Sequence, residues 1–140
     1  NFIYAVFAPS MTQLIKNEVE AARIADKILH MLTEYNKKFK DKIEFGMGIT
    51  SGEIISHVED KKLKFTALGN IIAGVRRLAE LGDKNILVSK EAYLKGVSEL
   101  KTEKVQLGST EFYVIKDVVD HEKNKAFIQD FLKRQQGKSK

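Results

Sequence analysis

Residues 45–58 read FGMGITSGEIISHV and residues 65–78 read FTALGNIIAGVRRL, and these two stretches decide the fold of the chain. The first stretch has strand character on both sides of Gly52, a residue suited to a tight corner. The second begins as a strand, is interrupted by Gly69-Asn70, and continues as an apolar run with helical periodicity. Strands followed directly by a helix are therefore predicted at the centre of the chain.

Apolar periodicity predicts the other elements of the first half. Thr12 is predicted to cap a long helix, and Gly82 to end the later helix in a left-handed conformation. The predicted elements are strands at 2–7, 43–50, 53–58 and 63–68 and helices at 12–36 and 71–81.

The second half alternates in the same way. Ser89 is predicted to cap a short helix that ends at Leu94, and Gly108 to lie in a turn between two strands. The predicted strands are 86–88, 104–107 and 112–116, and a last helix is predicted at 122–135. Together these elements predict a single α+β domain in which helices pack on one mostly antiparallel sheet.

The composition is that of one folded domain. The 140 residues are 43% hydrophobic, with nine Gly and one Pro, so the chain can form a sizeable core. With no Cys, disulfides and thiolate metal sites are excluded, and the three His are too scattered to suggest a zinc site. No apolar run approaches the ~18 residues of a membrane span, and no signal peptide is recognisable. A cytoplasmic protein with no membrane partner is therefore expected.

The net charge of +5 is concentrated at the C-terminus. The last eight residues contain four basic side chains and no acidic one, which leaves 20 basic and 19 acidic side chains for the rest. We therefore predict a domain at 1–132 followed by a basic, flexible tail at 133–140. The tail has no aromatic residue on which a base could stack, which argues against nucleic acid as a partner.

The two central stretches resemble the signature of class III adenylate and guanylate cyclases. That family's pattern runs Gly-Ile-His-Thr-Gly-Glu, then Tyr/Phe-Thr-x-x-Gly-Asp, then a helix that opens Val-Asn-x-Ala-x-Arg-Leu. The resemblance extends from Asn1 to about Asp117, and the family's first β-α-α segment would precede Asn1. It implies a ferredoxin-like, cyclase-homology fold with its strands in one sheet and the helices at 12–36 and 70–81 on the same face.

The resemblance also implies which residues would carry the chemistry. Ring closure of a nucleoside triphosphate needs two divalent ions, held by carboxylates. Asn1 stands where the family places its second metal-binding Asp, and an amide supplies no negative charge, so no metal ligand is expected there. Ala73 stands where the family has an Asn that supports the transition state, while Arg77 matches the family's Arg for transition-state phosphate charge. Mg²⁺ or Mn²⁺ with ATP or GTP is implied if other residues complete the site.

Three further residues are nucleotide-binding candidates by the same resemblance. Thr66 matches the base-selecting position, and its hydroxyl can serve either purine, so ATP and GTP both stay open. Lys101 and Lys104 are alternative candidates for the phosphate-binding Lys near the second-to-last strand. Structural explanations exist beside these roles, since Thr66 suits a strand and Arg77 could be a surface residue beside Arg76.

Three functions are compatible with this sequence. The first is a degenerate cyclase-homology domain, catalytically silent, that acts as a regulatory, nucleotide-sensing or dimerisation module. The second is an active adenylate or guanylate cyclase whose metal ligands lie upstream or on a partner chain. The third is an unrelated ferredoxin-like module for RNA, supported by the basic tail alone. Asn1 and Ala73 favour the first function. The resemblance also implies a homodimer, or a pair of homologous domains, whose contact surface includes the neighbourhood of Thr66 and Arg77.

Overall fold

The computed structural model describes residues 1–67 and 69–137. The helices in this part of the chain are α1 (Pro9–Thr12), α2 (Asn17–Lys38), α3 (Gly69–Leu81), α4 (Lys90–Gly96) and α5 (His121–Gly137). The strands are β1 (Met47–Ile49), β2 (Ile55–Glu59), β3 (Lys62–Ala67), β4 (Ile86–Ser89), β5 (Leu100–Leu107) and β6 (Thr110–Val118). None of these helices combines the length and the apolarity that a membrane span requires.

Four strands form the main sheet, in the order β1-β4-β6-β5. β1 runs parallel to β4, whereas β4 and β5 each pair antiparallel with β6. A tight turn joins β5 to β6, and Gly108 in that turn has a φ of 61°, which glycine adopts without steric cost. β2 and β3 form a separate two-stranded hairpin, with Asp60 and Lys61 at positive φ in its turn.

The main sheet carries helices on both faces. Ile86 and Val88 of β4 pack in one core cluster with Ala22 of α2. Leu87 lies between them and therefore points to the opposite face, where it packs with Leu78 of α3. β4 is thus buried on both sides, which explains its uninterrupted apolar sequence.

Glycine on one face of β1 lets α3 approach the strand closely. A Cβ added to Gly48 would lie 2.8 Å from the backbone N of Ala79, and closer still to the carbonyl oxygen of Val75. A Cβ at Gly46 would also meet backbone atoms, among them the carbonyl oxygen of Gly82. Because these neighbours are backbone rather than flexible side-chain ends, any side chain at either position would displace the helix.

The predicted α+β class and the mostly antiparallel sheet are confirmed. The predicted placement of the helices on a single face needs correction, because α2 and α3 lie on opposite faces. The prediction of one sheet also needs correction, because β2 and β3 pair with each other and not with β1. Apolar runs identify strands, but they do not say which edge each strand joins.

The predicted strand at 2–7 is wrong. Residues 1–8 have no regular secondary structure, although Phe2-Ile-Tyr-Ala-Val-Phe7 has strong strand propensity. Within the described residues β1 pairs with β4 alone and is three residues long, so it offers little edge for another strand. The segment instead packs in part on α3, where the Arg76 guanidinium lies 4.4 Å from the centre of the Phe2 ring.

Several predicted element ends shift in the structure. Thr12 ends α1, and α2 begins at Asn17 with Lys16 at its N-cap, so the predicted cap at Thr12 is wrong. Gly82 is not among the positive-φ residues of the described chain, whereas Lys84 is, at 51°. The predicted cap at Ser89 is correct, because its hydroxyl accepts a hydrogen bond from the Ala92 N–H at 3.3 Å.

The predicted strand at 63–68 corresponds to β3, and Leu68 itself lies outside the described residues. α5 extends through Gly137 and so crosses the predicted boundary between the domain at 1–132 and its tail. Lys138, Ser139 and Lys140, the last residues of the predicted tail, lie outside the described residues.

Candidate functional site

A cleft of about 550 Å³ opens between α3, the start of α4 and the β5–β6 turn. Its apolar floor includes Leu78 and Leu81 of α3. Its rim is polar and contributes two cations, two carboxylates, one amide and four hydroxyls. These rim residues are Arg77, Lys90, Glu91, Glu111, Gln106, Thr50, Ser89, Ser109 and Thr110. The cleft therefore combines an apolar surface with charges and hydrogen-bond donors, as small-molecule sites commonly do.

Arg77 contributes a free guanidinium to this cleft. Its side chain is exposed, and it makes no hydrogen bond, ion pair or ring contact within the described residues. Its neighbour Arg76 is engaged, because its Nε lies 3.1 Å from the Glu80 carboxylate and its guanidinium covers the Phe2 ring. The five N–H donors of Arg77 are therefore available to a planar or tetrahedral oxyanion.

The hydroxyls of Thr50 and Ser89 form one wall of the cleft. Thr50 Oγ1 lies 3.0 Å from Ser89 Oγ, and the Ser89 hydroxyl also accepts from the Ala92 N–H. Thr50 and Ala92 both donate hydrogen bonds to the Ser89 oxygen, so the Ser89 hydroxyl proton is free to be donated to a ligand. Arg77 lines the same cleft, so the wall adds a hydroxyl donor to the charge that Arg77 supplies there.

Glu111 is the centre of a hydrogen-bonded network beside the cleft. The Tyr113 hydroxyl donates to its carboxylate at 2.5 Å, and Lys104 and Lys90 lie 2.9 and 3.8 Å from it. The hydrogen bond from Tyr113 and the ammonium of Lys104 lower the pKa of Glu111 to about 2. The same hydrogen bond raises the pKa of Tyr113 to about 12, and the Tyr113 ring stacks on Tyr93 at 3.8 Å. Glu111 therefore stays ionised and Tyr113 stays neutral across the physiological pH range.

These groups suit binding better than acid–base catalysis. A carboxylate with a pKa near 2 is a weak base, and a phenol with a pKa near 12 is a weak acid at pH 7. His, whose ordinary pKa is about 6.5, does not occur among the described residues that line the cleft. The arrangement can fix an anion through charge and hydroxyl donors.

The structure distributes the predicted nucleotide-binding residues over three places. Lys104 is bound to Glu111 beside the cleft. Lys101 pairs with Asp117 at 3.4 Å on the exposed surface, at the end of β5 away from the turn. Thr66 lies on the β2–β3 hairpin, where its hydroxyl donates to the Ile55 carbonyl at 3.1 Å, and it does not line the cleft. Of these candidates only Arg77 lines the cleft, and Lys104 is linked to it through Glu111.

The described residues do not fit a two-ion metal site. Asn1 is exposed and lies in a segment without regular structure, and Ala73, one helical turn before Arg77, is also exposed. Residues 1–67 and 69–137 contain no group of three or more His, Cys, Asp or Glu side chains arranged to hold a metal ion. Catalytic metal chemistry would need ligands from outside these residues.

Sequence reasoning missed most of the cleft. Glu111, Tyr113 and Lys90 have no motif around them, and their meeting depends on the pairing of β6 with both β4 and β5. The turn at Gly108 was recognisable, and it was the one local signal that could have pointed to Ser109 and Thr110 at the rim.

No family model and no curated protein matches the chain. Solved cyclase domains do match it. The guanylyl cyclase domain of the RhoGC fusion protein from the aquatic fungus Blastocladiella emersonii matches in a monomeric form, as a double mutant (TM-score 0.62, 17% identity, 81% of this chain and 64% of that one). It also matches in a non-canonical dimeric form (TM-score 0.60, 19% identity, 76% of this chain and 62% of that one).

Two further solved structures share the fold. One is the guanylate cyclase domain of RhGC from Catenaria anguillulae in complex with GTP (TM-score 0.58, 19% identity, 76% of this chain and 63% of that one). The other is the adenylyl cyclase CyaB from P. aeruginosa (TM-score 0.53, 20% identity, 81% of this chain and 66% of that one). The chain thus spans less than two thirds of each of these structures. At this level of identity the likeness establishes the fold: the chain has the fold of the class III guanylyl and adenylyl cyclase catalytic domain.

Proposed function

We propose that this chain is a catalytically silent cyclase-fold module, which binds a purine nucleotide through its phosphates and pairs with a second cyclase-type domain. Its role is regulatory, as a nucleotide sensor or a dimerisation module, and its place is the cytoplasm. The observation that carries the proposal is Arg77, whose guanidinium is free in a cleft that lacks a metal-holding cluster among the described residues. Such a site keeps cationic and hydroxyl groups for phosphate recognition, while its two carboxylates, Glu91 and Glu111, belong to no metal-holding group among the described residues.

Phosphate recognition is supported by the chemistry of the rim. Arg77 and Lys90 supply positive charge, and Ser89 and Thr110 supply hydroxyl donors to the same cleft. Glu111 does not cancel Arg77, because its carboxylate is already occupied by Tyr113, Lys104 and Lys90. A related fold has been solved with GTP bound, which makes a purine nucleotide the first ligand to test.

Replacing Arg77 by Ala is expected to weaken the binding of GTP and ATP by roughly ten- to a hundredfold, as for loss of a hydrogen-bonded charge. Arg76→Ala is the matched control, because that side chain is held by Glu80 and Phe2. Titration calorimetry without divalent metal measures both variants. Equal loss in both would assign the effect to net charge, and no nucleotide binding by the parent chain would contradict the nucleotide part of the proposal.

Association is supported by the β2–β3 hairpin, which carries Thr66. Every residue of β2 is exposed, including Ile55 and Val58 at 65% and 71%. Exposed apolar side chains on a hairpin outside the main sheet are a liability for a monomer and can contact a partner. The dimeric form of one related cyclase domain gives a precedent for pairing within this fold.

The double variant Ile55→Ser/Val58→Ser is therefore expected to shift a self-associating chain toward monomer, by about tenfold or more in dissociation constant. Leu94→Ser, on α4, is the control for removal of an equally exposed apolar side chain. Sedimentation equilibrium measures all three proteins. A parent chain that stays monomeric at high micromolar concentration, and that pairs with no homologous domain, would refute this part of the proposal.

An active cyclase remains the second candidate, favoured by the survival of Arg77 in the cleft. It would require metal ligands from upstream sequence or a partner chain, with Mg²⁺ or Mn²⁺ and ATP or GTP. Cyclic nucleotide formation by the parent chain is the result that would replace the first candidate with the second.

A further inference from the structure

Within the part of the chain that the structure describes, no protein surface covers α5. Every residue whose burial is described from His121 to Gly137 is exposed, although the helix carries large apolar side chains. Phe127, Ile128, Phe131 and Leu132 are each more than half exposed, with Phe127 at 72%. A helix of this length is marginally stable alone in water, so an uncovered apolar face points to an external surface that stabilises it.

The four apolar side chains form one continuous stripe. At 100° per residue they span about 140° of the helix circumference, and the pairs 127/131 and 128/132 stack one turn apart. Lys125 borders one edge of the stripe, and Lys123 and Arg134 border the other. Long basic side chains at both edges can extend their charged ends away from an apolar layer while their stems remain in it.

This end of the chain also carries most of the protein's net charge. Residues 121–140 contain six Lys and Arg against two Asp and Glu, a net +4 of the total +5. The first 120 residues hold 18 basic and 17 acidic side chains, and are therefore almost neutral. Two basic side chains of this region are ion-paired, Lys123 with Asp120 just before it and Arg134 with Asp130. Lys125 and Lys133 make no ion pair among the described residues.

We propose that α5 binds an anionic lipid surface, with the stripe at 127–132 in the acyl boundary and the basic side chains at the headgroups. The charge favours this occupant over a second copy, because stripe-to-stripe packing of two helices would bring like-charged edges together. Basic side chains lie along both edges of the stripe and in the residues that follow it, and this distribution suits a layer of anionic headgroups. The inference concerns a peripheral contact, which departs from the expectation of no membrane partner, and it does not depend on the nucleotide proposal.

The test is co-sedimentation of the full chain with phosphatidylcholine vesicles, with and without 30% phosphatidylserine. Binding is expected to the anionic vesicles alone, and to weaken severalfold between low and physiological salt. Phe127→Ser/Phe131→Ser is expected to weaken it at least tenfold. Lys123→Gln/Lys125→Gln is expected to weaken it by roughly fivefold per charge. Ile15→Ser, at a residue 97% exposed in another part of the chain, is the matched control and should bind as the parent does.

Circular dichroism with vesicles gives a second readout, because α5 should gain helical signal on binding. No binding of the parent chain to anionic vesicles would overturn the inference. So would equal binding by the Phe127→Ser/Phe131→Ser variant, since the stripe would then be irrelevant. Self-association or capture of an acidic protein that the Phe variant abolishes, without vesicle binding, would overturn it in favour of a protein partner.

Discussion

Replacing Gly48 by Ala is expected to destabilise the domain by about 3 kcal/mol. The added methyl group would stand 2.8 Å from Ala79 N and from Leu78 Cβ, inside the contact between β1 and α3. The helix backbone cannot turn aside as a side chain can, so α3 must move away from the sheet or the strand must bend. Either response separates Leu78 from the cluster that it forms with Leu87 and Phe112.

The matched control is Gly74→Ala, which makes the same chemical change on α3 itself. Nothing lies within 4 Å of a Cβ at Gly74, and alanine is the better helix former. This variant is expected to stabilise the domain by about 0.5–1 kcal/mol. Urea unfolding of the two variants should therefore give midpoint shifts of opposite sign at an unchanged slope. A Gly48→Ala protein as stable as the parent would show that α3 does not approach β1 this closely.

The parent chain is expected to form no cAMP or cGMP above background from ATP or GTP, with either Mg²⁺ or Mn²⁺. Asn1 supplies no negative charge for a metal ion, and the described residues hold no assembled metal-binding group. Ala73 also lacks the polar side chain that a transition state would need, and loss of one such donor typically costs ~10² to 10³ in rate. Sensitive detection of the cyclic product over hours is the measurement.

The double variant Asn1→Asp/Ala73→Asn is expected to remain inactive as well. A single restored carboxylate does not complete a two-ion site, because more than one carboxylate is needed to hold the two ions. Arg77→Ala provides the assay background, because it removes the side chain that matches the Arg by which the family stabilises transition-state phosphate charge. Turnover by the parent that Arg77→Ala abolishes would establish an active cyclase and refute the silent-module proposal.

The candidate site was accessible from sequence only where a residue belongs to a local pattern. The resemblance predicts Arg77 because it lies in the helix that follows Gly69-Asn70; its side chain lines the cleft, and its role stays a prediction. Lys101 and Lys104 stay alternatives: Lys101 pairs with Asp117, Lys104 pairs with Glu111, and neither is among the residues that line the cleft. Glu111 itself could not be found, because its partners come from β5, β6 and α4 and share no spacing in the sequence.

The sequence by itself determined the local elements: the helix after β3, the Ser89 cap and the turn at Gly108. These depend on backbone preferences and hydrogen bonds between residues a few positions apart, which neighbouring residues specify. The tertiary structure decided that 2–7 forms no strand, that β2–β3 stands apart, and that α2 and α3 cover opposite faces. Those outcomes depend on which distant strand edge or sheet face each apolar segment packs against. Hydrophobic periodicity predicts that one side of a segment is buried, but it does not predict which other element buries it.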